Sequence, residues 1–124
     1  MAAGAHSGDD PASVVRRHLK AFNAQDLEGL MACFADDATW ITGSDTIRGA
    51  AALRRLFAGA FADLSPRLHL KSLLVDGELA ACELREDYSV DVAARSDHIA
   101  GFYRVEAGLI AAAKIYREGS ADVA

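Results

Sequence analysis

Apolar residues in the first half of the chain recur at helical spacing. Val15, His18, Leu19 and Phe22 stand at i, i+3, i+4 and i+7, one face of an amphipathic helix. Asp10-Pro11 marks its start, because a proline at the first helical position gives up a donor that had no partner. Asn23-Ala24-Gln25-Asp26 breaks the pattern, and Asp26 is placed to cap a second helix in which Leu27, Leu30, Met31 and Phe34 repeat the spacing. Asp36-Asp37 closes that helix. A short strand over Ala38 to Ile41 follows, then a turn at Gly43-Ser44-Asp45. Gly49 leads into a third helix with Leu53, Leu56, Phe57, Ala60 and Phe61 on one face, and Ser65-Pro66 stops it.

Beyond Arg67 the pattern changes to strands. Arg67 to Val75 and Leu79 to Val90 flank Asp76-Gly77, a hairpin signal. Asp91 to Ser96 reads as a polar loop; Asp97 to Glu106 and Leu109 to Arg117 are strands joined at Ala107-Gly108. Helices followed by consecutive antiparallel strands predict an α+β domain. The helices should cover one face of a curved antiparallel sheet and leave a concave space between the layers. The other face is then available to a partner. The domain is expected over residues 11–118, between a flexible leader, 1–10, and a flexible tail, 119–124.

With 124 residues, 52% hydrophobic and 25% charged, the chain suits one globular domain. A net charge of −5 argues against nucleic acid or an anionic membrane as partner. Arg16-Arg17 and Arg54-Arg55 fall in helical patterns and read as solvated helix faces. Cys33 and Cys82 have no CxxC or Cys/His ligand spacing, so no metal site is expected and both read as small buried residues. No apolar run is long enough to span a bilayer, and MAAGAHSGDD lacks a basic segment followed by an apolar one. A cytoplasmic location is expected.

The segments VVRRHLKAFNAQDLEGLMACFADDATW, IRGAAALRRLF and YRVEAGLI resemble the ketosteroid isomerase and SnoaL-like polyketide cyclase group of the nuclear-transport-factor-2-like superfamily. The resemblance extends from Val14 to Arg117. It implies a cone-shaped α+β barrel, usually dimeric, with a deep apolar pocket and no cofactor. At the positions where the isomerases place a donor tyrosine, a base aspartate and a protonated aspartate, this chain has His18, Thr42 and Ala100. A threonine cannot replace the isomerase base at neutral pH, so the steroid isomerase reaction is not expected.

Other residues must then carry any chemistry. His18 is the first candidate, as acid/base or as donor to a substrate oxygen, because imidazole titrates near working pH. A core histidine with a backbone partner is the alternative. His98, read as facing the same side as Ala100 and Phe102, is a possible second catalytic group, and Asp45 a third. Phe22, Trp40, Thr42, Phe57, Phe61 and Phe102 are expected to line the pocket. Glu83, Arg85 and Asp87 alternate along one strand as a carboxylate–guanidinium–carboxylate row. Related limonene epoxide hydrolases activate water with an Asp-Arg-Asp set, but not one on a single strand at this spacing. The row reads as a charged face at a dimer or solvent surface, with pocket lining as its alternative. His69 and Lys71 read as the exposed side of an edge strand, Lys114 and Tyr116 as the dimer side. The expected function is a cofactor-independent isomerase, cyclase, dehydratase or hydrolase acting by acid–base chemistry on a hydrophobic small molecule. The alternative is a non-catalytic small-molecule binding protein using the same pocket; a homodimer formed through the outer face of the sheet is expected in either case.

Overall fold

A computed structural model describes residues 9–118, so the expectations for a leader and a tail fall for the most part outside the described residues. The elements run α1 (Pro11–Asn23), α2 (Leu27–Met31), β1 (Phe34–Thr42), β2 (Asp45–Arg48), α3 (Ala50–Leu64), β3 (Arg67–Asp76), β4 (Leu79–Val90), β5 (Ala93–Glu106) and β6 (Leu109–Glu118). The helices lie on one side of a six-stranded sheet of order β2-β1-β6-β5-β4-β3. This is the expected α+β arrangement, with two differences. The sheet is open, with β2 and β3 at its edges, and it is mixed, because β1 runs parallel to β6.

Local chemistry explains the helix starts. The Asp10 carboxylate accepts from the Ser13 amide at 2.7 Å, with Pro11 at the first position, and Asp26 accepts from the Gly29 amide at 3.0 Å. A side chain at Gly29 would meet that cap, since an added Cβ would lie 2.3 Å from Asp26 Oδ2. The second helix ends three residues before Phe34, which the helical spacing had assigned to it. Phe34 instead opens β1 opposite Ile110, and the Ile110 amide donates to the Cys33 carbonyl at 2.8 Å. Phe34 is buried either way, so periodicity alone could not separate the two conformations.

The turns hold the other surprises. Gly43-Ser44 joins β1 to a strand absent from the sequence reading, β2, paired from Thr42↔Asp45 to Thr39↔Arg48. The predicted polar loop at 91–96 is only a two-residue turn. Asp91 and Val92 have φ of 49° and 62°, and Ala93 already pairs with Val90. Positive φ at both positions matches the twist of the flanking strands. The polar run misled because both strand ends project beyond the helices, where neither face needs to be apolar.

Side-chain alternation divides the sheet. Ala80, Cys82, Leu84, Ile99, Tyr103, Ala113 and Ile115 face the helices and are buried with Val14, Val15, Leu19, Leu53 and Phe57. The thiols of Cys33 and Cys82 are both buried and unpaired with each other, and burial pushes that of Cys82 up to about 11. On the outer face, Leu74, Leu79, Phe102 and Tyr116 are exposed. Asn23, at the end of α1, ties the helix layer to the edge strand. Its amide donates to the Leu68 carbonyl at 2.8 Å and accepts from the Leu68 amide at 2.7 Å, occupying backbone groups that a further strand would otherwise pair. Replacing Asn23 with Ala should lower stability by ~1–3 kcal/mol, because it strips two bonds from a half-buried backbone position. Urea unfolding of the variant checks this; an unchanged midpoint would mean that the tie carries no stability.

Candidate functional site

Between α1, α3 and the inner face of the sheet lies a cavity of about 360 Å³. Phe22 and the α3 residues Leu56, Phe57, Ala60 and Leu64 form its helical wall; Trp40, Thr42 and Ile115 come from the sheet. Its opposite end is polar, with Glu86 and Tyr88 from β4, Asp97 from β5 and Arg117 from β6.

Strand register assembles these four. Glu86 and Asp97 are direct cross-strand partners, so two carboxylates face each other on the inner side of the sheet. Like charges in that relation repel. Arg117, paired with Ile99 on the next strand, supplies the counter-charge: its Nη1 donates to Glu86 Oε1 at 2.5 Å and to Asp97 Oδ2 at 2.9 Å. The Tyr88 hydroxyl also donates to Asp97 Oδ2, at 3.0 Å. Glu86 is only 8% exposed. Burial pulls the Arg117 guanidinium down, but the bonds to Glu86 and Asp97 outweigh it and hold the group above its ordinary value. The Tyr88 phenol is raised mainly by its bond to Asp97, so it stays a donor at neutral pH. The arrangement is two carboxylates bridged by one guanidinium at the end of an apolar chamber. It can accept a proton on one side and return one on the other.

The other predicted residues divide between the two faces. Phe22, Trp40, Thr42 and Phe57 border the cavity, whereas Phe61 stands behind it, with its ring 5.2 Å from that of Phe22. His18 is a layer deeper. It is 1% exposed, enclosed by Phe34, Tyr103, Trp40, Phe22 and Phe57 at ring-centre distances of 5.4 to 6.5 Å, and its Nδ1 has no hydrogen-bond partner. Burial lowers its pKa to about 4, so the imidazole is neutral at working pH.

His98, Ala100 and Phe102 point the other way. Their strand turns Asp97, Ile99, Gly101 and Tyr103 inward, and Phe102 is half-exposed against Tyr116 on the outer face. The strand carries large apolar residues on both faces, so apolar character could not reveal which parity faces the helices. His98 and Asp45 do share one groove, of about 620 Å³, but it lies on the outer face with Glu83, Lys114 and Tyr116. Glu83, Arg85 and Asp87 are likewise outward. Asp87 is bonded there by Ser96 and Arg85 and lies 3.0 Å from His69, and these contacts, Ser96 first, hold its carboxyl below the usual range.

Sequence reasoning missed Glu86, Tyr88, Asp97 and Arg117 as a group. The signal was present, because each shares strand parity with buried apolar neighbours: Glu86 with Cys82 and Leu84, Asp97 with Ile99, Arg117 with Ala113 and Ile115. A charged residue ending an apolar row is the mark of a buried polar site. No cluster of three or more metal-ligating side chains occurs among the described residues.

Residues 15–113 match the family model described as a SnoaL-like domain, and the chain belongs to that family. Its fold is that of nuclear-transport-factor-2-like proteins. It is similar to an LEH-like epoxide hydrolase from M. tuberculosis, with 19% identity over 85% of this chain and 80% of that one and a TM-score of 0.78. It is similar also to a candidate polyketide cyclase from Sinorhizobium meliloti, with 22% identity, 90% and 99% coverage and a TM-score of 0.73. A candidate ketosteroid isomerase from Kribbella flavida matches at 19% identity, with 90% and 80% coverage and a TM-score of 0.75.

The buried imidazole makes a testable statement about stability. Its folded pKa lies below the unfolded value, so between pH 6.5 and about 4 the unfolded chain takes up a proton that the folded one refuses. Stability should therefore fall across that window by up to ~3 kcal/mol from this group, and level off below it. His18→Leu removes the titration and the unpartnered nitrogen together, and should be neutral or stabilising at pH 7. Urea unfolding at pH 7 and pH 4.5 checks both; a variant as acid-sensitive as the parent would show that His18 is not the group responsible.

Proposed function

We propose that the protein is a small acid–base enzyme acting on a compact hydrophobic molecule, with hydrolytic opening of an epoxide as the reaction the site suits best. One observation carries this reading: Glu86 and Asp97, opposed across two strands, are joined through Arg117 at the polar end of an apolar cavity. Opening an epoxide with water needs a base for the attacking water and an acid for the departing oxygen. One carboxylate takes the water proton as the new C–O bond forms. The ring C–O bond breaks, and the freed oxygen receives the proton that the carboxyl group has taken up. Arg117 links the two and offsets the charge that changes hands. The apolar walls hold the carbon skeleton beside the charged groups, and the burial of Glu86 strengthens its contact with Arg117. No step of this reaction calls for a cofactor. His18, neutral and behind the wall, acts in this reading by supporting Phe22, Trp40 and Phe57 rather than by moving protons.

Incubation with compact apolar epoxides in ¹⁸O-water should yield diol carrying one label. Glu86→Gln and Asp97→Asn should each lower turnover by ~10²- to 10⁴-fold while the protein stays folded. Binding without turnover by the parent protein would favour the second reading, a ligand-binding protein, which draws on the absence of the isomerase groups at Thr42 and Ala100.

We also propose that two copies associate through the outer face, in the cytoplasm. Leu74, Leu79, Phe102 and Tyr116, exposed by 73%, 54%, 50% and 50%, form an apolar area that no other described residue covers. Phe102→Asp should convert a dimer into a monomer on light scattering at micromolar concentration. A monomeric parent protein would remove this proposal.

A further inference from the structure

The charge balance of the cavity's polar end bears on the ligand. Two carboxylates, Glu86 and Asp97, face one guanidinium, Arg117, which leaves one net negative charge. Of the other groups nearby, only Arg95, which acts on the Tyr88 phenol from the exposed end of the strand, offsets part of it. Tyr88 donates its proton to Asp97 and is a phenol, His18 is neutral, and Arg95 lies one strand repeat farther out, in the exposed turn end paired with Tyr88. The remaining wall is apolar apart from Thr42, and Phe22, Trp40 and Phe57 are its aromatic members. Trp40 and Phe57 meet edge to face at 5.2 Å, and rings of this kind attract cations through the negative charge over their faces. Glu86 Oε1 and Asp97 Oδ2 are occupied by Arg117 and Tyr88, and the second oxygen of each carboxylate remains for a ligand.

We propose that this cavity takes a compact apolar ligand bearing a protonated amine. The ammonium group lies against the free oxygens of Glu86 and Asp97, and the hydrocarbon body rests between Trp40, Phe57 and the Leu56–Leu64 face of α3. An ammonium there completes a two-cation, two-anion set, whereas a carboxylate ligand would bring a third anion into a site of low polarity. The chamber, of about 360 Å³, lies toward the small end of ordinary ligand pockets and suits a compact body. The proposal rests on the same site as the acid–base reading but concerns which ligands enter it, not what happens to them.

The test uses three probes of equal size: cyclohexylmethylamine, cyclohexylmethanol and cyclohexanecarboxylate. Binding is read at pH 7 from the emission of Trp40, the single tryptophan of the chain. The amine should bind at least tenfold more tightly than the carboxylate, with the alcohol between them, and added salt should narrow the gap. In Glu86→Gln the amine should lose its advantage over the alcohol. Asp97→Asn gives the same reading if the first variant does not fold. Equal binding of amine and carboxylate, or an amine preference that survives both substitutions, would overturn the proposal. Alcohol binding without amine preference would do so while leaving the acid–base reading intact. No binding by any probe would overturn it along with the cavity as a ligand site.

Discussion

The parallel pairing of β1 with β6 is the contact on which the rest depends. Every other neighbouring pair of strands is joined by a short turn or, for β5 and β6, by Ala107-Gly108; β1 and β6 are separated by most of the sequence. Their register sets Trp40 beside Ala113 and Thr42 beside Ile115, with α1 and α3 above them. Closing so long a loop carries an entropic cost, and burial of Phe34, Ala38, Ile110 and Ala113 in that seam offsets it. Without it β1 and β2 would leave the sheet, and the cavity would lose the wall that Trp40 and Thr42 form.

The polar end of the cavity costs stability that an apolar end would not. Opposed carboxylates on a buried sheet face are unfavourable until a cation is placed between them. Arg117 meets that need from a third strand, and Tyr88 adds a donor to Asp97. A hydrophobic set of similar volume would hold the sheet together at least as well. Retaining three charged groups where apolar side chains would suffice is the pattern expected of a working site. His18 differs. It too is a polar group in an apolar core, but its rings are packed on all sides and its nitrogen meets no charge, so it resembles a tolerated core residue more than a reactive one.

The outer face shows the same alternation put to another use. Arg67, His69, Arg85, Asp87 and Ser96 gather at one end around Asp87, and Leu74, Leu79 and Phe102 at the other. The charged end satisfies itself through ion pairs within the single chain. Among the described residues nothing covers the apolar end. Self-contained polarity beside bare apolar surface is a division that suits burial of one half and hydration of the other.

The sequence by itself determined the elements whose signals are local. The buried face of α1, the caps at Asp10 and Asp26, the stop after Leu64 and the hairpin at Gly77 are all legible, because each depends on residues within one or two turns of one another. The aromatic wall followed from helical spacing at Phe22 and Phe57. Wherever two readings buried the same side chain, as at Phe34, or where both strand faces carried apolar residues, as around Phe102, local pattern had no means of choosing. The site itself belongs to that second kind. Glu86, Asp97 and Arg117 are far apart along the chain and are brought together by strand pairing, and a one-residue change in parity exchanges the inner trio for the outer row of Glu83, Arg85 and Asp87. Only the tertiary structure decides that parity, because what fixes it is which face of the sheet the helices cover.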